Sequence, residues 1–192
     1  EDPYGIAKLA IEMDLKAAHN MFGLNYIIFR PHNVYGEKQN IGDKYRNVIG
    51  IFMNQIMNGQ ALSVFGDGEQ QRAFSYIGDI APIIAKSGFE PKAYGEIFNI
   101  GADEPFTVNR LAKTIMSVMK KTVKINYLPK RNEVKTAYSD HGKVKLILGY
   151  KTTTSLEEGI KKMAEWAKLA GPKESKKFDN IEVTKKLPPF WQ

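Results

Sequence analysis

The feature that most constrains the fold of this chain is the alternation of helical apolar periodicity with short, continuous apolar runs. Between residues 4 and 20, apolar side chains recur at the three- and four-residue spacing of an amphipathic helix. The segment "NYIIFR" at 25–30, by contrast, has the length and composition of a buried strand. Helical and strand patterns of apolar residues continue to alternate up to residue 171. Alternating helices and strands are typical of α/β proteins, so we expect that class.

The remaining elements follow from the same reading. Further helices are predicted at 46–59, from Asp79 to Lys86, and at 107–121, 141–149 and 155–171. Strands are predicted at 96–101 and 123–129, together with two short strands within 62–77 around a turn at Asp67 and Gly68; residues 31–43 are predicted to be a loop. The helix from residue 4 is expected to pack beside the "NYIIFR" strand. Thr107 and Ser155 are expected to cap their helices.

The chain consists of two parts that differ in composition. We expect residues 1–171 to form the folded part. Residues 172–192 are lysine-rich and carry Pro188 and Pro189, which forbid a helix there, so an extended basic arm is expected. Because the chain begins with Glu rather than Met, we also expect it to be part of a longer protein.

Composition excludes several classes of protein. The 192 residues include no cysteine, which rules out disulfides and sulfur-based metal sites. No apolar run approaches the roughly 18 residues of a membrane span. The net charge of +7 derives partly from lysines in "KESKKF" and "VTKK" that are not interleaved with aromatic residues, so a solvated surface is expected rather than a nucleic-acid site. We therefore expect a soluble, cytoplasmic protein without a metal, nucleic-acid or membrane partner.

Tyr4 and Lys8 are a candidate catalytic pair because they stand one helical turn apart. A tyrosine that acts as a general base near pH 7 must have its pKa lowered from about 10 by roughly 3 units, which corresponds to about 4 kcal/mol. An ammonium group on the same helix face favours the phenolate and lowers that pKa. The alternative is that both are ordinary amphipathic residues on a helix surface, because this spacing is common by chance.

Five segments in register carry a family resemblance: "PYGIAK", "RPHNVYG", "VFGDGEQQRAFSYIGDIA", "FNIGADEPFTVNRLA" and "LGYKTTTSLEEGIKKMAEW". Together they resemble the C-terminal portion of the NAD-dependent epimerase/dehydratase family of extended short-chain dehydrogenases/reductases, and UDP-glucose 4-epimerase-like members in particular. The resemblance covers residues 1–171. It implies the end of a Rossmann-type doubly wound sheet, interleaved with a small α/β substrate-binding region.

The resemblance also implies roles for single residues. Tyr4 would be the proton-transferring base, and Lys8 would bind the nicotinamide ribose of NAD. Arg72 and Arg131 would bind the diphosphate of a nucleotide sugar, since a guanidinium fork matches phosphate oxygens. His32 is interpreted as a loop histidine that fills space, with a functional role as the alternative. The full set implied for the nucleotide sugar is Asn33, Asn47, Ser63, Val64, Phe65, Arg72, Arg131 and Glu133.

No dinucleotide-binding fingerprint accompanies these residues. The chain contains no G-x-G-x-x-G, and "GDG" at 66–68 precedes a strand pattern rather than a helix, so it is interpreted as a turn. We therefore expect the N-terminal cofactor-binding half to be missing, and NAD binding by this chain alone to be weak or absent.

The function that the resemblance implies is a sugar-nucleotide 4-epimerase of the UDP-glucose/UDP-galactose type, which acts by transient NAD-dependent oxidation at C4. Alternatives within the superfamily are a dehydratase, a decarboxylase and a reductase. Outside enzymes, the chain could be a non-catalytic module that binds nucleotide sugars or dimerises, and a split enzyme completed by a second polypeptide is a third possibility. A homodimer is compatible with all of them.

Overall fold

The computed structural model describes residues 3–43, 46–131 and 134–174, together with Lys185. Six α-helices and nine short strands occur in these residues. The helices are α1 (Pro3–Phe22), α2 (Val48–Met57), α3 (Ile77–Ser87), α4 (Val108–Met119), α5 (Gly142–Leu148) and α6 (Leu156–Ala170). The strands are β1 (Ile28–Pro31), β2 (Val34–Tyr35), β3 (Leu62–Phe65), β4 (Gln71–Ala73), β5 (Ser75–Tyr76), β6 (Ile97–Ile100), β7 (Pro105–Thr107), β8 (Ile125–Leu128) and β9 (Thr136–Ala137).

The described strands pair mostly in parallel. Strands β1 and β6, β2 and β5, and β3 and β8 form three parallel pairs. A fourth sheet has the order β7–β4–β9, in which β4 runs antiparallel to β7 and parallel to β9. Parallel neighbours need long crossover connections, which the helices supply here. The expected α/β class is therefore confirmed.

The larger hydrophobic core lies among α2, α4, α6 and strand β3. Phe52, Leu111, Ile160 and Met163 are fully buried in it, one or more from each of the three helices. Two helices of this core begin at the expected caps. Thr107 accepts a hydrogen bond from the backbone of the first turn of α4, and Ser155 forms a reciprocal capping box at the start of α6.

The smaller core lies between the β1–β6 pair and helices α3 and α5. Its buried residues include Ile80, Phe98, Ile100 and Val144. Tyr150, which follows α5, is 2% exposed and donates a 3.0 Å hydrogen bond to the carbonyl of Gly101. This bond fixes the segment after β6, close to the carboxyl ends of the parallel strands.

Helix α1 forms as expected but does not pack as expected. No residue of α1 is buried, and Leu9 and Met13 are 55% and 65% exposed. The helix is joined to β1 by an ion pair between Glu12 and Arg30 rather than by its apolar stripe. The helix thus lies beside the strand, as predicted, but the apolar residues that suggested the prediction are largely exposed.

Asp79 does not cap a helix. Helix α3 begins two residues earlier, directly after β5, and Asp79 lies in its first turn. The carboxylate instead accepts four hydrogen bonds of 2.6–3.2 Å from the backbone and hydroxyl groups of Thr153 and Thr154. It therefore ties α3 to the segment before α6, a long-range contact that the local pattern does not reveal.

The short strands also differ from the expectation. Strands β3 and β4 flank the expected turn at Asp67 and Gly68, but they belong to different sheets and do not pair with each other. Strand β2 lies inside the expected loop 31–43, and β7 and β9 were not predicted. These strands are two or three residues long, too short for an alternating pattern, and their pairing is decided by tertiary contacts.

The described beginning of the expected arm is held in place. The backbone N–H and C=O of Lys173 form two 2.9 Å hydrogen bonds with the side-chain amide of Asn54 in α2. The rest of the arm, apart from Lys185, lies outside the described residues. None of the described helices is long and apolar enough to cross a membrane.

Candidate ligand-binding cavity

A cavity of about 520 Å³ opens between α2, β3 and the segments that follow β1, β3 and β8. Its volume lies within the range of small-molecule sites in proteins. Apolar and aromatic side chains form most of its wall, with a small number of amides and two arginines. None of the described residues that line it is acidic. The cavity therefore suits a ligand with an anionic group and an apolar or aromatic surface.

The structure brings together seven of the eight residues implied for the nucleotide sugar. These line the cavity: Asn33, Asn47, Ser63, Val64, Phe65, Arg72 and Arg131. The eighth, Glu133, lies outside the described residues. The seven come from five separate segments of the chain, so their convergence on one cavity is a property of the fold and not of local sequence.

The two arginines are held by different contacts. The Nη1 group of Arg72, in β4, donates to the carbonyl of Gln71 at 2.8 Å and to that of Lys135 at 3.3 Å. The guanidinium of Arg131, which follows β8, lies 3.3 Å from the centroid of the Phe65 ring. A planar guanidinium stacked on an aromatic face keeps its N–H groups directed outward in the plane. Arg131 is thereby oriented to donate to an anion at the edge of this ring.

Two asparagines on the wall adopt the left-handed conformation. Asn33 has φ 44° and donates from its side-chain amide to the carbonyl of Ala73 at 3.0 Å. Asn47 has φ 66° and stands at the start of α2 without a side-chain capping bond. Asparagine tolerates this conformation better than most residues. Both lining positions therefore have a backbone conformation that favours asparagine over most other residues.

Polar lining residues that the sequence did not reveal surround β3. The side-chain amide of Gln55, in α2, donates to the hydroxyl of Ser63 at 3.0 Å and accepts from its backbone N–H at 3.2 Å. Gln70 donates to the carbonyl of Phe65 at 2.9 Å. Both glutamines fix the strand that forms one wall. No sequence signal marks either glutamine as a lining residue, because the periodicity that places Gln55 in α2 says nothing about the cavity.

Tyr35 closes the inner part of the wall. Burial raises the pKa of its phenol above the ordinary value, and the nearby carboxylates of Asp79 and Glu37 act in the same direction, so the ring stays neutral. Its hydroxyl donates to the carbonyl of Leu156 at 3.4 Å. An added methyl group at Gly159 would lie 2.1 Å from this hydroxyl oxygen, so only glycine allows α6 to approach so closely. Tyr35 therefore supports the wall rather than supplying a proton.

Tyr4 and Lys8 lie elsewhere, on α1, and are not among the lining residues. Tyr4 is 72% exposed, and the ammonium of Lys8 is 5.4 Å from the centroid of its ring. The pair therefore shares one face of the helix, as the sequence predicted. An exposed phenol beside a cation fits the nicotinamide-ribose end of NAD. Within the described part of the chain, no cluster of three or more potential metal-ligating residues occurs.

His32 is the neighbour of Asn33 but is not among the residues that line the cavity. Its ring stacks on that of His141, with centroids 5.0 Å apart. The expectation that it only fills space does not anticipate this contact with the buried His141, because the two residues are 109 positions apart in sequence.

Comparison with known proteins gives these residues a family. Residues 1–101 match the model of the NAD dependent epimerase/dehydratase family. A putative UDP-glucose 4-epimerase from Methanocaldococcus jannaschii is 35% identical over 168 residues, which are 86% of this chain and 53% of that protein. The chain thus spans about half the length of the relative it matches.

Two solved structures extend the similarity to the fold. The UDP-glucose 4-epimerase of Thermotoga maritima, solved with UDP-glucose, has a TM-score of 0.81 at 33% identity. The match covers 88% of this chain and 54% of the Thermotoga maritima chain. A UDP-glucuronic acid 4-epimerase from Bacillus cereus, solved with UDP-glucuronic acid and NAD, has a TM-score of 0.81 at 27% identity, with 88% and 53% coverage. The family match and the shared fold agree, and the chain therefore belongs to the NAD-dependent epimerase/dehydratase family.

Proposed function

We propose that this chain is the nucleotide-sugar-binding part of an NAD-dependent sugar-nucleotide 4-epimerase of the UDP-glucose type. One observation carries the proposal: two arginines, two left-handed asparagines and the Ser63–Phe65 strand, which family resemblance marks for a nucleotide sugar, line a single cavity. The volume of about 520 Å³ suits a ligand of that size. The lining joins cationic and aromatic groups, as a diphosphate attached to a base requires.

In this proposal the diphosphate lies between Arg72 and Arg131. Each guanidinium offers charge-assisted hydrogen bonds, which are about twice as strong as neutral ones. The base lies along the backbone of β3, whose position is fixed by Gln55 and Gln70. Asn33 and Asn47 supply amide groups from the facing wall. These contacts belong to the binding step, and none of them requires a cofactor.

Tyr4 and Lys8 perform the proton transfer. Tyr4 accepts the proton of the sugar 4-hydroxyl and later returns it to the same oxygen, so the enzyme is restored at the end of the cycle. Lys8 stabilises the phenolate and holds the ribose of the cofactor. NAD, when bound, supplies the transient oxidation of C4. Because the chain has no glycine-rich pyrophosphate turn, we propose that NAD binds weakly to this chain alone.

Calorimetric titration of the isolated chain tests the proposal. UDP-glucose and UDP should bind, whereas NAD should bind more weakly than with a micromolar dissociation constant. Absence of binding by both uridine compounds would refute the site, and micromolar or tighter NAD binding would refute the assignment of the cofactor.

An activity assay separates the enzyme from its alternatives. Joined to a family cofactor-binding half, the chain should interconvert UDP-glucose and UDP-galactose. A dehydrated, decarboxylated or reduced product would assign it to one of the other activities. Binding without any turnover would favour the non-catalytic module.

A further inference from the structure

A chain of polar side chains lies beside the cavity, at the carboxyl ends of β1 and β6. The hydroxyl of Ser139 is 3.3 Å from Nδ1 of His32 and 3.3 Å from Nε2 of His141. Nδ1 of His141 is 2.9 Å from a carboxylate oxygen of Asp103, and the ammonium of Lys145 is 2.8 Å from the other oxygen. The His141 side chain is fully buried. Five polar side chains from three segments thus form one connected path.

The partners determine where the protons are when both rings are neutral. A carboxylate only accepts, so Nδ1 of His141 carries a proton and its Nε2 is bare. The single hydroxyl proton of Ser139 then goes to that Nε2, and Ser139 accepts from Nδ1–H of His32. This leaves Nε2 of His32 without a proton. That nitrogen is buried and forms no hydrogen bond of normal geometry with the described residues, while the backbone of Ala102 lies near enough to the ring to favour its charged form.

The same nitrogen is pressed against the backbone that supports the cavity wall. A methyl group added at Gly101 would lie 2.6 Å from Nε2 of His32 and 2.6 Å from the hydroxyl of Ser75. Ser75 in turn donates its backbone N–H to the carbonyl of Asn33 at 3.1 Å, and its hydroxyl accepts from the backbone of Ala102 at 3.0 Å. Gly101 and Ser75 thus connect the surroundings of the His32 ring with the backbone of Asn33.

We propose that His32, Ser139, His141 and Asp103 form a proton-linked positioning device, which holds Asn33 at the cavity wall when neutral and releases it on acidification. The inference rests on the proposed function, because it concerns affinity for the nucleotide sugar. His32 is a positioning residue here: it acts through Asn33 and does not touch the ligand. A proton added to His32 charges one ring of the stacked pair and places an N–H at its buried Nε2, and both changes disturb the junction at Gly101.

The charges that face the pair support this reading. Burial lowers the pKa of His32 below its ordinary value, and the neighbouring His141 ring lowers it further; the backbone of Ala102 and the carboxylate of Asp103 oppose this in part. The ammonium of Lys145, from α5, already pairs with the carboxylate of Asp103. The carboxylate therefore compensates the positive charge of a protonated histidine only in part. Burial and the neighbouring ring thus favour the neutral form of His32.

The test is the affinity for UDP-glucose as a function of pH. UDP-glucose is a suitable probe because its diphosphate is a diester and does not titrate in this range. For the wild-type chain we expect an affinity loss of about threefold or more between about pH 7.5 and pH 5.5, approaching tenfold per pH unit if one proton is fully linked. His32→Phe and His32→Gln remove the titrating ring and should make the profile flat. His19→Gln, at the remaining, exposed histidine, should keep the wild-type profile.

NMR tests the device without any ligand. With three histidines in the chain, each ring can be assigned. We expect both His32 and His141 to carry the proton on Nδ1 at about pH 7.5. We also expect the chemical shifts of the Asn33 side-chain amide to change with pH at the same midpoint as those of the His32 ring. This change should disappear in both His32 variants.

The outcomes are distinct. If UDP-glucose does not bind at any pH, the proposed function fails, and the NMR titration alone decides the device. If UDP-glucose binds but the wild-type profile is as flat as that of His32→Gln, the device is refuted. A proton on Nε2 of His32 at neutral pH would also overturn the device. So would chemical shifts of the Asn33 side-chain amide that stay constant while His32 titrates.

Discussion

Replacement of Arg131 by alanine should weaken UDP-glucose binding by roughly 10- to 150-fold. The guanidinium lies 3.3 Å from the centroid of the Phe65 ring and lines the cavity. A charge-assisted hydrogen bond to the diphosphate contributes about 1.5–3 kcal/mol, and each 1.4 kcal/mol corresponds to about tenfold in affinity. Arg131→Lys keeps the charge but loses the fork and the planar stack, so we expect an intermediate loss.

Arg110 offers a matched control for this measurement. Its guanidinium also stacks on a phenylalanine, 4.3 Å from the ring centroid of Phe106, but it pairs with Glu104 and is not among the residues that line the cavity. Arg110→Ala should change the dissociation constant by less than about twofold, as expected for a solvent-exposed charge. The assay is calorimetric titration of the three variants and the wild type. An unchanged affinity in Arg131→Ala, or an equal loss in Arg110→Ala, would show that the phosphate does not bind here.

Three further predictions concern catalysis and stability. In the enzyme completed by a cofactor-binding half, Tyr4→Phe should reduce turnover at least about 100-fold and leave UDP-glucose affinity nearly unchanged, as steady-state kinetics and calorimetry can show. Gly68→Ala should destabilise the chain by about 1–3 kcal/mol in urea unfolding, because Gly68 has φ 75° and an added methyl group would lie 2.2 Å from Asn109; an unchanged midpoint would contradict this. Burial raises the pKa of Asp79, but hydrogen bonds from two threonines outweigh it and lower this pKa below its ordinary value. The carboxylate should therefore stabilise the fold above about pH 4, and this stabilisation should be lost as the pH falls through the lowered pKa. Asp79→Asn should flatten that part of the profile of unfolding free energy against pH.

The elements that the sequence predicted well are those whose own residues determine them. Helix α6 begins at a capping box and carries a continuous apolar stripe, and both signals are local. The turn at Gly68 was likewise predictable, because positive φ favours glycine. The family resemblance supplied seven residues that the fold then placed at one cavity. Their roles remain predictions.

The features that the sequence did not predict depend on distant partners. Asp79 looked like a cap because aspartate favours helix N-termini, yet its partners are more than 70 residues away. Gln55 belongs to α2 by periodicity, and only the fold places it against Ser63. The stacking of His32 on His141 joins two segments with no common pattern. Such contacts need the tertiary structure, because neither partner carries a signal for the other.

The most direct test of the central claim is an NMR titration of the isolated chain with UDP-glucose. The account predicts that the largest chemical-shift changes fall on the backbone of Ser63–Phe65, on the side-chain amides of Asn33 and Asn47, and on the guanidinium groups of Arg72 and Arg131. Resonances of the exposed helix α1 should change little in the absence of NAD. Shift changes concentrated outside the cavity, or none at a saturating concentration of UDP-glucose, would contradict the assignment of this cavity as a nucleotide-sugar site.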